Sequence, residues 1–297
     1  MSSAELDQLL SPALLAQLER LELTTRKIFR GRMKGERRSK RKGNSVEFAD
    51  FRNYVAGDDL RFIDWNTYAR LDKLFLKMFL EEEDLHFFCL IDDTRSMDFG
   101  EPNKLRYARQ LAAALSFIGL TRADRVKVET VTQGLRTPSP VLRGRKSVWR
   151  LLDQLATMVP HESVSLAQGI KNFCLRNSGR GILVVISDLM DKAGYQSAFK
   201  YLAGRDMDVY VIQVLGTAEI EPAIAGDLRL VDCEDSEEAE ITVSAPLLAR
   251  YKQTVAGFIE EARSFCAKRG MNYLFARTDV SVDDLVMKYL RQRGLVR

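Results

Sequence analysis

Histidine and long apolar runs are both scarce in this chain of 297 residues. His86 and His161 are the only two histidines, which argues against a histidine-rich zinc site and against a Ser-His-Asp triad. The longest apolar stretches have the length of strands, whereas a helix that spans a bilayer needs about 20 such residues. The opening segment MSSAELDQLLSPALL also lacks the basic head and apolar run of a signal peptide. We therefore expect a cytoplasmic protein.

Cysteine is sparse as well, and it never occurs at the spacing of a metal site. The four cysteines are scattered singly: Cys89, Cys174, Cys233 and Cys266. Three of them lie in apolar patterns, which predicts reduced thiols in the core. A Gly-x-x-x-x-Gly-Lys-Ser/Thr phosphate loop is also missing, so intrinsic ATPase activity is not expected.

The net charge of +4 is distributed unevenly. Residues 26–42 carry ten lysines and arginines against the single acidic Glu36. Such a run can bind the phosphates of nucleic acid, but few aromatic residues flank it and no helix-turn-helix or zinc pattern is present. A solvated arm or a contact with an acidic partner is therefore the favoured interpretation, and nucleic-acid binding is the lesser one.

From Leu85 onward, strand-like and helix-like segments alternate. The predicted strands span 85–92, 125–133, 181–188, 208–215 and 272–277. The predicted helices span 103–122, 145–158, 165–176, 194–204, 245–269 and 281–293. This alternation predicts an α/β domain, 85–297, with a mostly parallel sheet covered by helices on both faces. Residues 226–243 predict a short hairpin.

The first 84 residues predict an appendage to that domain. Leucines and Pro12 predict a helix over 3–29. The basic segment 31–45 predicts a loop or flexible hairpin, and residues 46–80 alternate apolar and polar side chains in places.

Two of the predicted strands end in side chains that carry oxygen. Asp92, Thr94 and Ser96 follow the first strand at alternate positions, so an extended chain points them the same way. Asp188 ends the predicted strand at 181–188. Ligands of open α/β sheets bind outside the carboxyl ends of strands, and hard oxygens suit Mg²⁺. A divalent metal site is one interpretation, and a turn or helix cap is the other.

The pattern Asp-x-Thr-x-Ser-Met, followed by a later strand ending in Ser-Asp, resembles the von Willebrand factor A domain. In that family these residues form a metal-ion-dependent adhesion site with a threonine from a second loop. The resemblance implies that Thr94 and Ser96 contact the ion directly and that Asp92 and Asp188 act mainly through waters. Val164 stands where the threonine is expected. Valine cannot bind a metal, so Ser163 or Ser165 substitutes, or the ion binds weakly or not at all.

The block at residues 52–70, RNYVAGDDLRFIDWNTYAR, interleaves acidic and basic side chains. It resembles the signature of the bacterial family called domain of unknown function 58, and the resemblance extends from about Gly35 to the end of the chain. The residues that carry it are Arg52, Tyr54, Gly57, Asp58, Asp59, Arg61, Asp64, Trp65 and Arg70. We expect a charge-paired hairpin held against the α/β domain by Phe62, Ile63 and Trp65. A docking surface for a partner is the alternative.

The family resemblance implies a functional partner, a MoxR-type AAA+ ATPase, together with an unidentified client protein. It predicts a non-enzymatic, ion-assisted and chaperone-like adaptor. A magnesium-dependent phosphohydrolase that uses Asp92 and Asp188 is the first alternative, and a nucleic-acid-binding protein is the second. A phosphatase of the haloacid dehalogenase type needs Asp-x-Asp, whereas Asp92 and Asp93 are adjacent and point apart on a strand.

Overall fold

The apolar strands and helices recognised in the sequence fold into two units in the computed structural model. The structure describes residues 9–24, 47–80, 85–132, 139–161, 164–177, 179–233 and 237–297. Contacts group Met1–Ile28 with Leu85–Arg297 as one unit and Phe29–Asp84 as the other. The second unit ends at Asp84, and the N-terminal residues 9–24 are grouped with the α/β unit.

Helices and strands alternate along the α/β unit as predicted. The described strands are β1 (Glu47–Asn53), β2 (Phe75–Leu80), β3 (His86–Ile91), β4 (Arg125–Thr130), β5 (Leu142–Arg143), β6 (Gly181–Ser187), β7 (Met207–Leu215), β8 (Gly226–Val231), β9 (Glu238–Val243) and β10 (Asn272–Arg277). The described helices are α1 (Pro12–Leu18), α2 (Trp65–Leu71), α3 (Lys104–Thr121), α4 (Val148–Ala156), α5 (Leu166–Arg176), α6 (Gln196–Ala203), α7 (Thr217–Ile220), α8 (Ala245–Ala267) and α9 (Val282–Asp284), which continues as a π-helical segment, Leu285–Leu290.

Six strands form the central sheet in the order β10-β7-β6-β3-β4-β5. Every neighbouring pair is parallel except β4 and β5. This is the Rossmann-type order, in which the winding direction reverses between β3 and β6. The predicted mostly parallel α/β fold is therefore confirmed. The short β5 pairs only with Arg125 and Val126 at the start of β4.

Both faces of the sheet are covered by helices, as the nearly continuous apolar character of the central strands β3 and β6 requires. Successive side chains of β3 enter opposite cores: Phe87, Cys89 and Ile91 face the side of α3, and Phe88 and Leu90 face the other. Helices α5, α6 and α8 contribute to the second core. The predicted reduced core thiols are observed, because Cys89, Cys174 and Cys266 are buried and form no disulfide, while Cys233 is exposed and also forms no disulfide.

The N-terminal helix is much shorter than the predicted span of 3–29. It begins after Ser11, whose Oγ accepts a hydrogen bond from Leu14 N at 3.2 Å, and it ends at Leu18. Leu21 and Leu23 follow in an extended stretch, and Leu23 bridges Val296. The spacing of the leucines therefore fits an extended segment as well as a helix. Leu14, Leu18, Leu21 and Leu23 all lie in the core beside α3.

The second unit consists of an antiparallel pair, β1 with β2, and the short helix α2. A β-bulge interrupts the pairing between Phe48 and Asp50. The predicted hairpin at 226–243 is confirmed in the α/β unit, where β8 and β9 pair antiparallel with Leu228 opposite Ile241. In the described part of the chain, no helix combines the length and the apolar character needed to cross a membrane.

Candidate functional site

Asp92 and Asp188 lie at the point where the sheet reverses its winding direction. Asp92 follows β3 and Asp188 follows β6, and these two strands are parallel neighbours. The backbone of Asp92 continues the pairing, since its N–H donates to Ile186 O at 2.8 Å. This is the place where open α/β sheets bind ligands. The two predicted strand ends therefore deliver their carboxylates to one edge of the sheet.

The Asp92 carboxylate is held by hydroxyl groups from both strand ends. Its Oδ1 accepts from Thr94 N at 3.1 Å and from Thr94 Oγ1 at 2.7 Å, and its Oδ2 accepts from Ser187 Oγ at 2.6 Å. Thr94 Oγ1 also lies 3.1 Å from Ser96 Oγ. Because Thr94 gives its proton to Asp92, the lone pairs of its oxygen are left for a cation or for the proton of Ser96.

Burial and the charge of Asp188 raise the pKa of Asp92 to about 6, against the opposing hydrogen bonds from Ser187 and Thr94. The two buried carboxylates therefore repel each other, and the positive charge nearby does not fully offset this repulsion. A cation beside Asp92 would relieve this repulsion.

Lys104 supplies one such charge. Its Nζ donates to Asp188 Oδ2 at 2.7 Å and to Glu219 Oε1 at 2.6 Å, and its side chain is fully buried. Burial lowers the pKa of Lys104, but the carboxylates of Asp188 and Glu219 outweigh that effect and raise it. Asp188 Oδ1 accepts from Met190 N at 3.0 Å, so both oxygens of this carboxylate have a donor.

Neither Lys104 nor Glu219 was recognised from the sequence, although one signal was available. Lys104 is the first residue of α3, directly after the cap residue Asn103. A positive charge there is unfavourable beside the positive end of the helix dipole. A lysine at such a position is expected to have a carboxylate partner, and here Asp188 after β6 and Glu219 in the short helix α7 supply two.

The distance between the two hydroxyl oxygens is compatible with a shared magnesium ion as well as with the hydrogen bond between them. Octahedral Mg²⁺ binds oxygens at about 2.1 Å, which places neighbouring ligands about 3 Å apart, and the Thr94 and Ser96 oxygens are 3.1 Å apart. Among the described residues, no three His, Cys, Asp or Glu side chains converge as a metal cluster. These residues fit an ion held by two hydroxyls, with Asp92 and Asp188 supplying negative charge and water or a partner group filling the other positions.

The loop before α5 holds the remaining predicted ligands. Ser163 lies outside the described residues. Ser165 is exposed, and its Oγ caps α5 by accepting from Gln168 N at 3.3 Å. The next residue, Leu166, donates its N–H to Asp191 Oδ2 at 2.6 Å, which ties this loop to the one after β6. Ser165 thus acts as a helix cap in the structure, and an ion contact from this loop stays a prediction.

Asp93 turns away from Asp92, as its adjacent position predicts. Its Oδ1 accepts from Thr132 N at 3.1 Å and its Oδ2 from Thr132 Oγ1 at 2.5 Å. It therefore ties the end of β3 to the loop after β4.

The backbone carries a further constraint at Leu189, whose φ of 63° is unusual for a residue other than glycine. Strain of this kind costs about 1–3 kcal/mol and clusters at functional sites.

The signature block of residues 52–70 is charge-paired as predicted. Arg52 pairs with Asp58 at 2.9 Å, and Arg61 pairs with Asp59 at 2.7 Å. The N–H of Val55 and the Arg52 guanidinium lower the pKa of Asp58. Gly57 has a φ of 104°, which favours glycine in this turn.

Helix α2 follows this turn and is capped by Asp64. Asp64 Oδ2 accepts from Thr67 Oγ1 at 2.7 Å, and Lys77 Nζ lies 3.4 Å from Oδ1. The N–H of Tyr54 donates to Leu74 O at 2.9 Å, which closes the block onto β2, and Arg70 is exposed in α2.

The predicted burial of the aromatic side chains in this block is wrong. Trp65 is 59% exposed and Phe62 is 45% exposed, whereas Ile63 is 5% exposed as expected. The Trp65 ring meets Tyr68 edge-on, with ring centroids 6.1 Å apart. Ile63 can therefore anchor the block within its own unit, whereas most of the Trp65 ring stays exposed to solvent.

Comparison with known proteins agrees with the signature. The profile of the family described as "Protein of unknown function DUF58" matches residues 50–258. The uncharacterized proteins Rv1480 of Mycobacterium tuberculosis and Mb1516 of Mycobacterium bovis are each 27% identical over 274 residues, which is 90% of this chain and 86% of theirs.

Two solved structures from Bacteroides show a distant likeness. One is an aerotolerance-related membrane protein from Bacteroides fragilis, with a TM-score of 0.43 and 15% identity over 70% of this chain and 97% of that chain. The other is the conserved hypothetical protein BatB from Bacteroides thetaiotaomicron, with a TM-score of 0.40 and 13% identity over 70% of this chain and 98% of that chain. The fold assignment rests on the strand order and register described above.

Proposed function

The chain belongs to the DUF58 family of proteins of unknown function, and on that basis we propose that it is a non-enzymatic cytoplasmic adaptor. In this proposal a divalent cation, with Mg²⁺ as the first candidate, helps it to bind other proteins. The observation that carries the proposal is the convergence of the Thr94 and Ser96 hydroxyls with two carboxylates at the reversal point of the sheet. A cation held there by few protein ligands keeps positions open for an acidic side chain of a partner.

The bonding of the carboxylates supports binding over catalysis. Asp92 is 5% exposed, and both of its oxygens accept hydrogen bonds from the chain itself. Asp93 is bound to Thr132 and Asp188 to Lys104. A phosphohydrolase would need one of these carboxylates to be free to attack phosphorus or to accept a proton from water.

The proposed partner is a MoxR-type AAA+ ATPase, as the family resemblance implies, and the adaptor would connect that ATPase to a client in the assembly or maturation of a complex. The exposed Trp65 and Phe62 of the second unit support this two-surface arrangement. Exposed aromatic residues are enriched where proteins dock. One surface would then engage a carboxylate through the ion, and the other would offer aromatic rings.

The test measures binding of the purified chain to the MoxR-type ATPase of the same genome, by surface plasmon resonance with Mg²⁺ and then with chelator. We expect chelator and Ser96→Ala each to weaken binding at least tenfold. Ser147→Ala is the matched control, because it removes a hydroxyl that donates only to Arg143 O, at 2.8 Å. Binding that ignores both chelator and Ser96→Ala would reject an ion-assisted contact.

Two further assays address the alternatives. Turnover of a generic phosphoester with Mg²⁺, abolished in Asp92→Asn, would support the phosphohydrolase. Affinity for nucleic acid that falls steeply with salt would support the third interpretation, whose basic residues 26–42 lie outside the described residues.

A further inference from the structure

The position of Lys104 gives the candidate ion site an internal competitor. Its ammonium group contacts Asp188, one of the two carboxylates that would face the cation, at 2.7 Å. A fixed ammonium and a divalent cation beside the same carboxylate repel each other, and burial makes that repulsion stronger than it would be in water.

The charges around the site set the balance between these two cations. Asp92, Asp188 and Glu219 contribute three negative charges, and Lys104 contributes one positive charge. Glu219 shares the Lys104 ammonium with Asp188, because Lys104 Nζ lies 2.6 Å from Glu219 Oε1. Asp188 is therefore neutralised less completely than it would be by Lys104 alone. The more strongly Glu219 holds Lys104, the more negative charge Asp188 has left for a metal ion.

Glu219 is itself fixed by neighbouring elements. Its Oε2 accepts from Gly216 N at 2.7 Å, and its backbone carbonyl accepts from Tyr251 Oη on α8 at 2.7 Å. The carboxylate therefore cannot swing away from Lys104 without breaking contacts to the β7–α7 turn. The centroid of the Phe99 ring lies 6.0 Å from Lys104 Nζ.

We propose that Lys104 is a built-in counter-ion that restrains metal binding at Asp92, Thr94, Ser96 and Asp188, and that Glu219 sets the strength of that restraint. The inference rests on the proposed ion site. It adds that Lys104 lowers the metal affinity of this site, in addition to the loss of a hydroxyl ligand at Val164. Occupancy of the site would then depend on a partner that contributes its own carboxylate.

The test is calorimetric titration of Mg²⁺ and Mn²⁺ into the full chain and two variants. Lys104→Met removes the charge and keeps most of the side-chain volume, and we expect metal to bind at least tenfold more tightly. Glu219→Gln keeps one acceptor oxygen for the ammonium, replaces the oxygen that accepts from Gly216 N with an amide NH2 group, and leaves the Lys104 charge facing Asp188. Metal affinity should then fall several-fold, which is the opposite direction.

Lys127→Met is the matched control. Lys127 is also a buried lysine, with Nζ 2.7 Å from Glu129 Oε1, but it lies on β4 opposite Phe88, four residues before Asp92. We expect its metal affinity to equal that of the wild type. Far-ultraviolet circular dichroism checks the fold of each variant. If Lys104→Met does not fold, Glu219→Gln decides the matter, since an unchanged or tighter affinity in that variant overturns the inference.

Adding Ser96→Ala to each background separates this inference from the proposed function. Tighter binding in Lys104→Met that survives Ser96→Ala would place the ion elsewhere and overturn both. Binding that Ser96→Ala abolishes, but that Lys104→Met leaves unchanged, would overturn the role of Lys104 and leave the proposed function standing.

Discussion

Truncation of Trp65 is expected to cost the second unit little stability, because the ring is mostly exposed. Trp65 is 59% exposed, so 41% of its surface is covered (100 − 59). A tryptophan side chain has roughly 250 Å² to bury, which puts the covered area near 100 Å². At about 25 cal/mol per Å², and with a reduction for the surface that the unfolded chain already covers, Trp65→Ala should cost about 1–2 kcal/mol.

Ile63→Ala is the matched comparison in the same block. Ile63 is 5% exposed, and truncating a buried isoleucine costs about 2–5 kcal/mol. We therefore expect the smaller side chain, Ile63, to cost more free energy of unfolding on truncation than the larger Trp65. A fully buried tryptophan would cost about 3–5 kcal/mol.

Hydrogen exchange measures the relevant free energy, because it reports on the second unit separately from the α/β unit. The probes are the amides of Tyr54 and Asp64, whose N–H groups donate to Leu74 O and Phe75 O, both at 2.9 Å. In a Trp149→Phe background the fluorescence of Trp65 alone should be quenched efficiently by iodide. A loss of protection in Trp65→Ala as large as in Ile63→Ala, or a ring shielded from iodide, would refute this account of the block.

The other predictions concern the ion site and the core. Val164→Thr should tighten Mg²⁺ binding about five- to tenfold by supplying the missing hydroxyl, worth about 1 kcal/mol, and Asp92→Ala should abolish the thermal shift with Mg²⁺; equal shifts in all three proteins would contradict the site. Tyr195→Phe should leave the free energy of unfolding unchanged or raise it by about 1 kcal/mol, because the buried Tyr195 hydroxyl has no hydrogen-bond partner among the described residues. Burial raises the pKa of Tyr195 to about 12, so the wild type should lose stability relative to Tyr195→Phe as the pH rises from about 10, where the unfolded tyrosine ionises. Tyr273→Phe should instead cost about 1–2 kcal/mol in urea unfolding, because it removes the donor that reaches Gln213 Oε1 at 2.5 Å.

The elements of the α/β unit were predictable because β3 and β6 are nearly continuous apolar runs and because strand-like and helix-like segments alternate along the unit. The span predicted at 272–277 is β10 without change, and the helix predicted at 103–122 is α3 within one residue at each end. The N-terminal helix was overextended because leucines at Leu21 and Leu23 continue the apolar pattern after the helix ends at Leu18.

The candidate site was predictable only where its residues adjoin the strands that place them. Asp92, Thr94 and Asp188 lie within a few residues of the ends of the two apolar strands β3 and β6, so their location could be read from the sequence. Glu219 reaches Lys104 across 115 positions of the chain, and such a pairing leaves no periodic trace in one sequence. The exposure of Trp65 was not predicted because a large apolar ring is usually buried. The sequence does not show that a unit with one pair of strands has too small a core to cover this ring.

The brevity of β5 exposes the molecule to a risk of self-association, and neighbouring side chains lessen it. Beyond Val126, the outer edge of β4 has no strand partner within the described ranges, and an open strand edge is a template for pairing with another chain. Gln154 of α4 donates its Nε2–H to Val128 O at 2.8 Å and so occupies this edge carbonyl. The same Nε2 group also donates to Ser139 Oγ at 3.2 Å, which holds the Gln154 side chain in this position. Loss of Gln154 is therefore a route to aggregation that needs no change in the fold.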